Sequence, residues 1–160
     1  MATKKATKTI AEGRPYTGNT DPAKGPRPGT IRFQQYLIYL FQMKNLGIYA
    51  NRPVRGGSGL SVHATGRAAD LGGGPNQIKT VLAFLATHSE TLLIEAIHDY
   101  GNRLIPGKHG AGWRCDRQTW TAYTKPTIGS PGALWIHYEI SPEMADNPDL
   151  VNAAFRKVFP

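Results

Sequence analysis

Two apolar stripes at helical spacing alternate along the chain with short runs suited to strands, and this interleaving limits the folds open to it. Phe33, Tyr36, Leu37, Leu40 and Phe41 recur at three-to-four spacing behind Thr30, which can cap a helix, and the stripe stops at Gly47. The spacing predicts a helix from Ile31 to Leu46 with one buried face. Ile48 to Asn51 then reads as a short strand before the turn Arg55-Gly56-Gly57-Ser58-Gly59. Ile78, Val81, Leu82 and Leu85 form the second stripe, opened by Pro75 in a position that a first helical turn tolerates. Gly66 to Leu71, Leu92 to Ile97 and Leu134 to Ile140 read as strands, and Asn147-Pro148 as the cap and first turn of a closing helix. Gaps such as Ala111 to Pro131 are too irregular for β-α-β units. The predicted class is α+β, with helices packed against a small, mostly antiparallel sheet, in one domain over 30–160.

Residues 1–29 are rich in Lys, Thr, Gly and Pro and poor in large aliphatics, so little burial is available to offset ordering entropy. An extended or disordered basic arm is expected there. Lys4, Lys5, Lys8, Arg14, Lys24 and Arg27 carry much of the net charge of +8, which favours polyanions without selecting among them. No nucleic-acid motif accompanies the charge, so no specific nucleic-acid partner is expected. No run approaches the ~18 apolar residues of a membrane span, and the basic start lacks the apolar core of a secretory signal. The expectation is a chain made soluble in the cytosol without membrane insertion, delivered by another agent if its target lies outside. The lone Cys115 rules out an internal disulfide and a cysteine-rich metal cluster, and reads as a small buried residue.

Two segments concentrate chemistry: Ser61-Val62-His63-Ala64-Thr65-Gly66-Arg67-Ala68-Ala69-Asp70 and Trp135-Ile136-His137-Tyr138-Glu139. Two imidazoles and a carboxylate are an accepted zinc set with one open position for water. For His63 and Asp70 to meet on one ion the chain must fold back between them, and Gly66 permits that turn. Arg67, next to the turn glycine, reads as a surface residue.

The run S-x-H-x-x-G-R-A-x-D resembles the zinc peptidase family of D-alanyl-D-alanine carboxypeptidases, D-alanyl-D-alanine dipeptidases and phage L-alanyl-D-glutamate endopeptidases. The resemblance covers about Ile48 to Ser141, with the helix before it as the family's leading helix. It implies one zinc ion, set on the sheet and held by His63, Asp70 and His137, the last on a late strand beside an aromatic residue. It also implies an upstream arginine that holds substrate or the oxyanion. Arg55 is assigned to catalysis, and Arg52, Ser61 and Trp135 to substrate contact. The function implied is hydrolysis of peptidoglycan stem peptides by a phage-encoded endolysin or virion-associated protein. Such a protein would remain in the host cytoplasm until released, or travel in a phage particle, with peptidoglycan and phage particle proteins as partners.

One departure stands out. The family's general base lies three residues before the second zinc histidine, where this chain has Leu134. Glu139 shares the strand face of His137 and is the substitute candidate, as base or as partner to the histidine. Without a base the same fold would serve as a noncatalytic wall-binding or structural phage protein. His98-Asp99 reads as a strand-terminal polar pair, His88 as a helix-end residue, His109 as loop, and Trp113, Trp120 and Tyr123 as core packing or a substrate groove.

Overall fold

The computed structural model describes residues 13–107, 109–127, 129 and 132–160. It is α+β: a six-stranded sheet of order β1-β2-β6-β3-β4-β5 with every pairing antiparallel. The strands are β1 (Lys44–Gly47), β2 (Ala68–Gly72), β3 (Ile94–Asp99), β4 (Ala111–Arg114), β5 (Thr119–Ala122) and β6 (Trp135–Ile140). The helices are α1 (Pro28–Phe41), α2 (Pro75–Thr87), α3 (Pro142–Asp146) and α4 (Pro148–Val158). No helix among the described residues is long and apolar enough to cross a membrane.

Alternation along the strands sorts the two faces of the sheet. Leu71, Ile97, Trp113, Ile136, Tyr138 and Ile140 turn to one side and bury against Phe33 and Leu37 of α1, Leu82 of α2 and Phe155 of α4. Asp70, His98, Trp135, His137 and Glu139 turn to the other. Asn147 caps α4 through a bond from Leu150 N to its Oδ1 (3.0 Å), as its place before Pro148 predicts.

The first helix departs from its predicted bounds at both ends. It starts at Pro28, so Thr30 lies buried inside it instead of capping it. It stops at Phe41 because Gln42 adopts a left-handed conformation (φ 56°), and Gln77 Nε2 donates to the freed carbonyls of Phe41 and Gln42. Lys44 to Leu46, predicted as the end of the helix, belong with Gly47 to an edge strand on β2. Ile48 to Asn51 is not a strand, and the Ile48 carbonyl turns instead to His63. The irregular stretch after Ala111 holds the β4–β5 hairpin.

Residues 1–12 of the expected arm lie outside the described residues. From Gly13 to Arg27 the chain has no helix or strand, yet it is fastened along its length to the domain. Arg14 Nη2 donates to the carbonyls of Ile94 (2.6 Å) and Ser89 (3.3 Å), and Arg27 Nε to that of Thr65 (2.8 Å). Low apolar content does not register these hydrogen bonds to the rest of the fold.

Candidate metal centre

The first motif is built by a single turn of 3-10 helix, Val62–Thr65. Ser61 Oγ caps it by accepting from His63 N (3.3 Å), so Ser61 shapes the loop that presents His63. Gly66 ends the turn with φ +70°, and a Cβ there would stand 2.6 Å from the Gly25 carbonyl oxygen, so only glycine fits. The reversal feeds β2, where Asp70 lies opposite His137 of β6, and His137 lies opposite His98 of β3. Sheet register therefore sets Asp70, His137 and His98 side by side across three neighbouring strands.

His63 Nε2 lies 3.2 Å from Asp70 Oδ1, and His137 Nδ1 lies 2.9 Å from that oxygen and 3.1 Å from His63 Nε2. Their ring planes are inclined at 72°. The outward nitrogens fix the inward ones. His63 Nδ1 is 2.7 Å from the Ile48 carbonyl, which can only accept, so it carries the proton and leaves Nε2 a lone pair. His137 Nε2 is 3.1 Å from Glu139 Oε1 and donates to it in the same way. Once the inward nitrogens give up their protons, three lone pairs converge on one point, with each imidazole oriented by an acceptor on its far nitrogen, as metal-ligating histidines commonly are. Ligand atoms about 2.0 to 2.1 Å from a tetrahedral ion stand about 3.3 Å apart, so the triangle needs only a slight expansion to accept one. His63, Asp70 and His137 could therefore hold a metal ion.

In the metal-free protein, protons occupy the place an ion would take. Burial opposes charge on Asp70, but hydrogen bonds from His137 and His63 outweigh it and hold the carboxyl well below its usual range. Burial likewise opposes charge on His137, yet its bonds to Asp70 and Glu139 raise it to about 9. Burial opposes charge on Glu139 too, and His137 nevertheless brings it down to about 2. His98 is lowered to about 4, first by burial and then by the charge on His137. In the metal-free protein the stability from His137 is complete below about 6.5 and lost as pH rises through about 9. That from Glu139 is complete above about 4.5 and lost as pH falls through about 2. His98 adds a third contribution, complete above about 6.5 and lost as pH falls toward about 4, so the metal-free protein should be most stable near pH 6.5. A metal ion competes with the His137 proton, so the rise in Tm on adding zinc should be larger near pH 8 than near pH 6. Calorimetry with and without zinc tests this, and equal increments at the two pH values would contradict it.

His63, Asp70 and His137 open into a cleft of about 800 Å³ that Arg52, Arg55, Tyr100 and Trp135 help to line. Ser61 and Glu139 also line it, so every residue assigned from sequence to the site borders this one space. Arg52 Nη1 donates to the Pro53 carbonyl (3.1 Å) at the mouth, and Arg55 is exposed. Leu134 is 55% exposed and stands where the resemblance expects an acidic group. Both Glu139 oxygens are engaged, Oε1 by His137 and Oε2 by the Tyr16 hydroxyl (2.8 Å).

Arg67 corrects its expected surface position. It is fully buried, pairs with Glu95 (3.1 Å) and donates to the Ile140 carbonyl (2.9 Å), because the turn at Gly66 points it under the sheet's end. His98 is part of the centre as well as strand-terminal: Nε2 lies 3.9 Å from Glu139 Oε1, and Nδ1 meets the Tyr123 hydroxyl. With His137 and Glu139 it forms a second group of metal-ligand type. Alternation from the core residue Ile97 turns His98 to the cleft, which is the signal the sequence holds for it. For Tyr16 the sequence holds none beyond an aromatic in an aliphatic-poor segment. Trp113 is core and Trp120 packs against it, whereas Tyr123 reaches the site. Cys115 is buried, as expected. No protein-family model, curated protein or solved structure matches the chain.

Proposed function

We propose that this chain is a zinc-dependent peptidase that hydrolyses peptidoglycan stem peptides, encoded by a phage as an endolysin or virion-associated protein. The observation that carries the reading is the convergence of His63 Nε2, Asp70 Oδ1 and His137 Nδ1 at 2.9 to 3.2 Å, with each histidine's outer nitrogen bonded away from the meeting point. The motif around His63 and Asp70 resembles that of D-alanyl-D-alanine carboxypeptidases and phage L-alanyl-D-glutamate endopeptidases, which supports zinc and wall peptide over other pairings. Zinc in such a set supplies Lewis-acid activation of water and of a carbonyl. The chain's own groups do the rest: Arg52 and Arg55 offer guanidinium donors for a substrate carboxylate or a developing oxyanion, and Trp135 offers an apolar wall.

The exposed Leu134 favours a second reading, a noncatalytic wall-binding or structural phage protein on the same fold. Incubating zinc-loaded protein with peptidoglycan and following new amino groups separates the two. Release that disappears on chelation is expected from the enzyme; zinc retention and wall binding without release would overturn the peptidase reading.

The role of Glu139 separates in the same assay. Held on the outer nitrogen of His137, Glu139 acts on the histidine, so Glu139→Gln should weaken zinc affinity by ~10-fold to 100-fold and spare kcat at saturating zinc. A general base would show the reverse pattern, with zinc retained and kcat down by ~10²-fold to 10⁴-fold. Zinc titration beside turnover decides between them.

A further inference from the structure

The segment Gly13–Arg27 touches both chain stretches that supply the proposed ligands. On the side of the first motif, Asn19 Nδ2 donates to the Leu60 carbonyl (2.7 Å), Ala23 N to that of Ala64 (2.9 Å) and Arg27 Nε to that of Thr65 (2.8 Å). On the side of the second, Tyr16 donates its hydroxyl to Glu139 Oε2 (2.8 Å) while Arg114 lies over its ring, 4.3 Å from the centroid. Between them the buried pair Arg67–Glu95 fastens the strap, since Thr17 Oγ1 donates to Glu95 Oε1 (2.5 Å) and Arg67 Nη2 donates to the Gly18 carbonyl.

From this geometry we propose that the strap is a structural wall of the metal centre and that Tyr16 is a positioning residue that keeps Glu139 on the outer nitrogen of His137. Glu139 is a buried carboxylate whose two oxygens have different holders, His137 and Tyr16. Removing the Tyr16 hydroxyl leaves Oε2 buried without that donor and frees the carboxylate to rotate. A histidine ligand takes its orientation from the acceptor on its far nitrogen, so the effect passes from Tyr16 through Glu139 to the geometry at His137. The part of the proposal that concerns the metal rests on the zinc reading above; the contact itself does not.

Tyr16→Phe keeps the ring under Arg114 and deletes only the hydroxyl. In metal-free protein, a urea-unfolding cycle of Tyr16→Phe, Glu139→Gln and the double variant should show coupling of about tenfold or more in the folding equilibrium constant. Additive losses would overturn the contact. With cobalt(II) as probe, Tyr16→Phe should take up the same stoichiometry as the parent but show a shifted and altered visible ligand-field spectrum, and the double variant should match Glu139→Gln alone. An unchanged spectrum would overturn the positioning role. If no form of the protein, the parent included, takes up cobalt, the zinc reading fails, and the metal-free cycle still decides whether Tyr16 holds Glu139.

Discussion

On the proposed zinc peptidase reading, an Asp70→Asn variant is expected to fold, to retain no zinc on dialysis and to release no amino groups from peptidoglycan. The substitution is nearly isosteric and sits in mid-strand opposite His137, so the β2–β6 ladder has no reason to change. What changes is the donor set. Asp70 Oδ1 is the atom that faces both imidazoles, at 2.9 Å and 3.2 Å, and it supplies the only formal negative charge among the three proposed ligands. An amide is a poorer ligand, and its NH2 can present a hydrogen where the carboxylate presents a lone pair. Losing an oxygen that faces the ion should cost more than the ~10-fold to 100-fold typical of an outer partner. The same variant makes a prediction without metal. His137 stands near pH 9 after bonds to Asp70 and Glu139 overcome burial, so removing one of these anionic partners should bring its titration down, as a histidine proton resonance would report. Retention of one zinc per chain by Asp70→Asn would refute the ligand assignment.

Much of this architecture is written in local sequence and is legible there. Asn147-Pro148 announces α4, Pro75 and the following stripe announce α2, and the aromatic and β-branched run before Ser141 announces β6. His63, Asp70 and His137 are legible because a motif carries them and alternation then sets 137 and 139 on one face. The features that local sequence hides share a cause, which is that the deciding partner is far away along the chain. The end of α1 depends on Gln77 reaching back to Phe41, a contact no stripe encodes. The β4–β5 hairpin turns through Gln118 at φ 50°, a conformation for which glycine is the usual residue. Arg67 follows a turn glycine, a context that suggests solvent, yet its partner Glu95 comes from the irregular pairing of β3 with β6. Tyr16 lies in a segment whose apolar content argues for a loose arm, whereas hydrogen bonds to carbonyls and to two buried carboxylates hold it in place.

Arg67→Met and Glu95→Gln, made singly, should be the most damaging substitutions for the fold outside the apolar core. Both side chains are buried, at 0% and 1% exposure, and each is the other's charge partner. Removing one leaves the other charged and without its counter-ion in a place water cannot reach, a change that costs ~3 to 5 kcal/mol. Against a total stability of about 5 to 15 kcal/mol that is a large fraction, and at this size it corresponds to a fall in Tm of roughly 10 °C. Replacing both residues with apolar ones, as in Arg67→Met with Glu95→Leu, should recover much of the loss, because the native pair is itself imperfect: Arg67 Nε is buried without a hydrogen-bond partner. The double variant should not recover the site to the same degree. The Gly18 carbonyl and Thr17 hydroxyl would have lost Arg67 and Glu95, so the strap should exchange its amide hydrogens faster even as Tm returns. Scanning calorimetry and hydrogen exchange on the three variants therefore separate two roles of one ion pair, its contribution to folding and its hold on the segment that carries Tyr16. A double variant as unstable as either single one would mean that the pair acts through shape rather than charge.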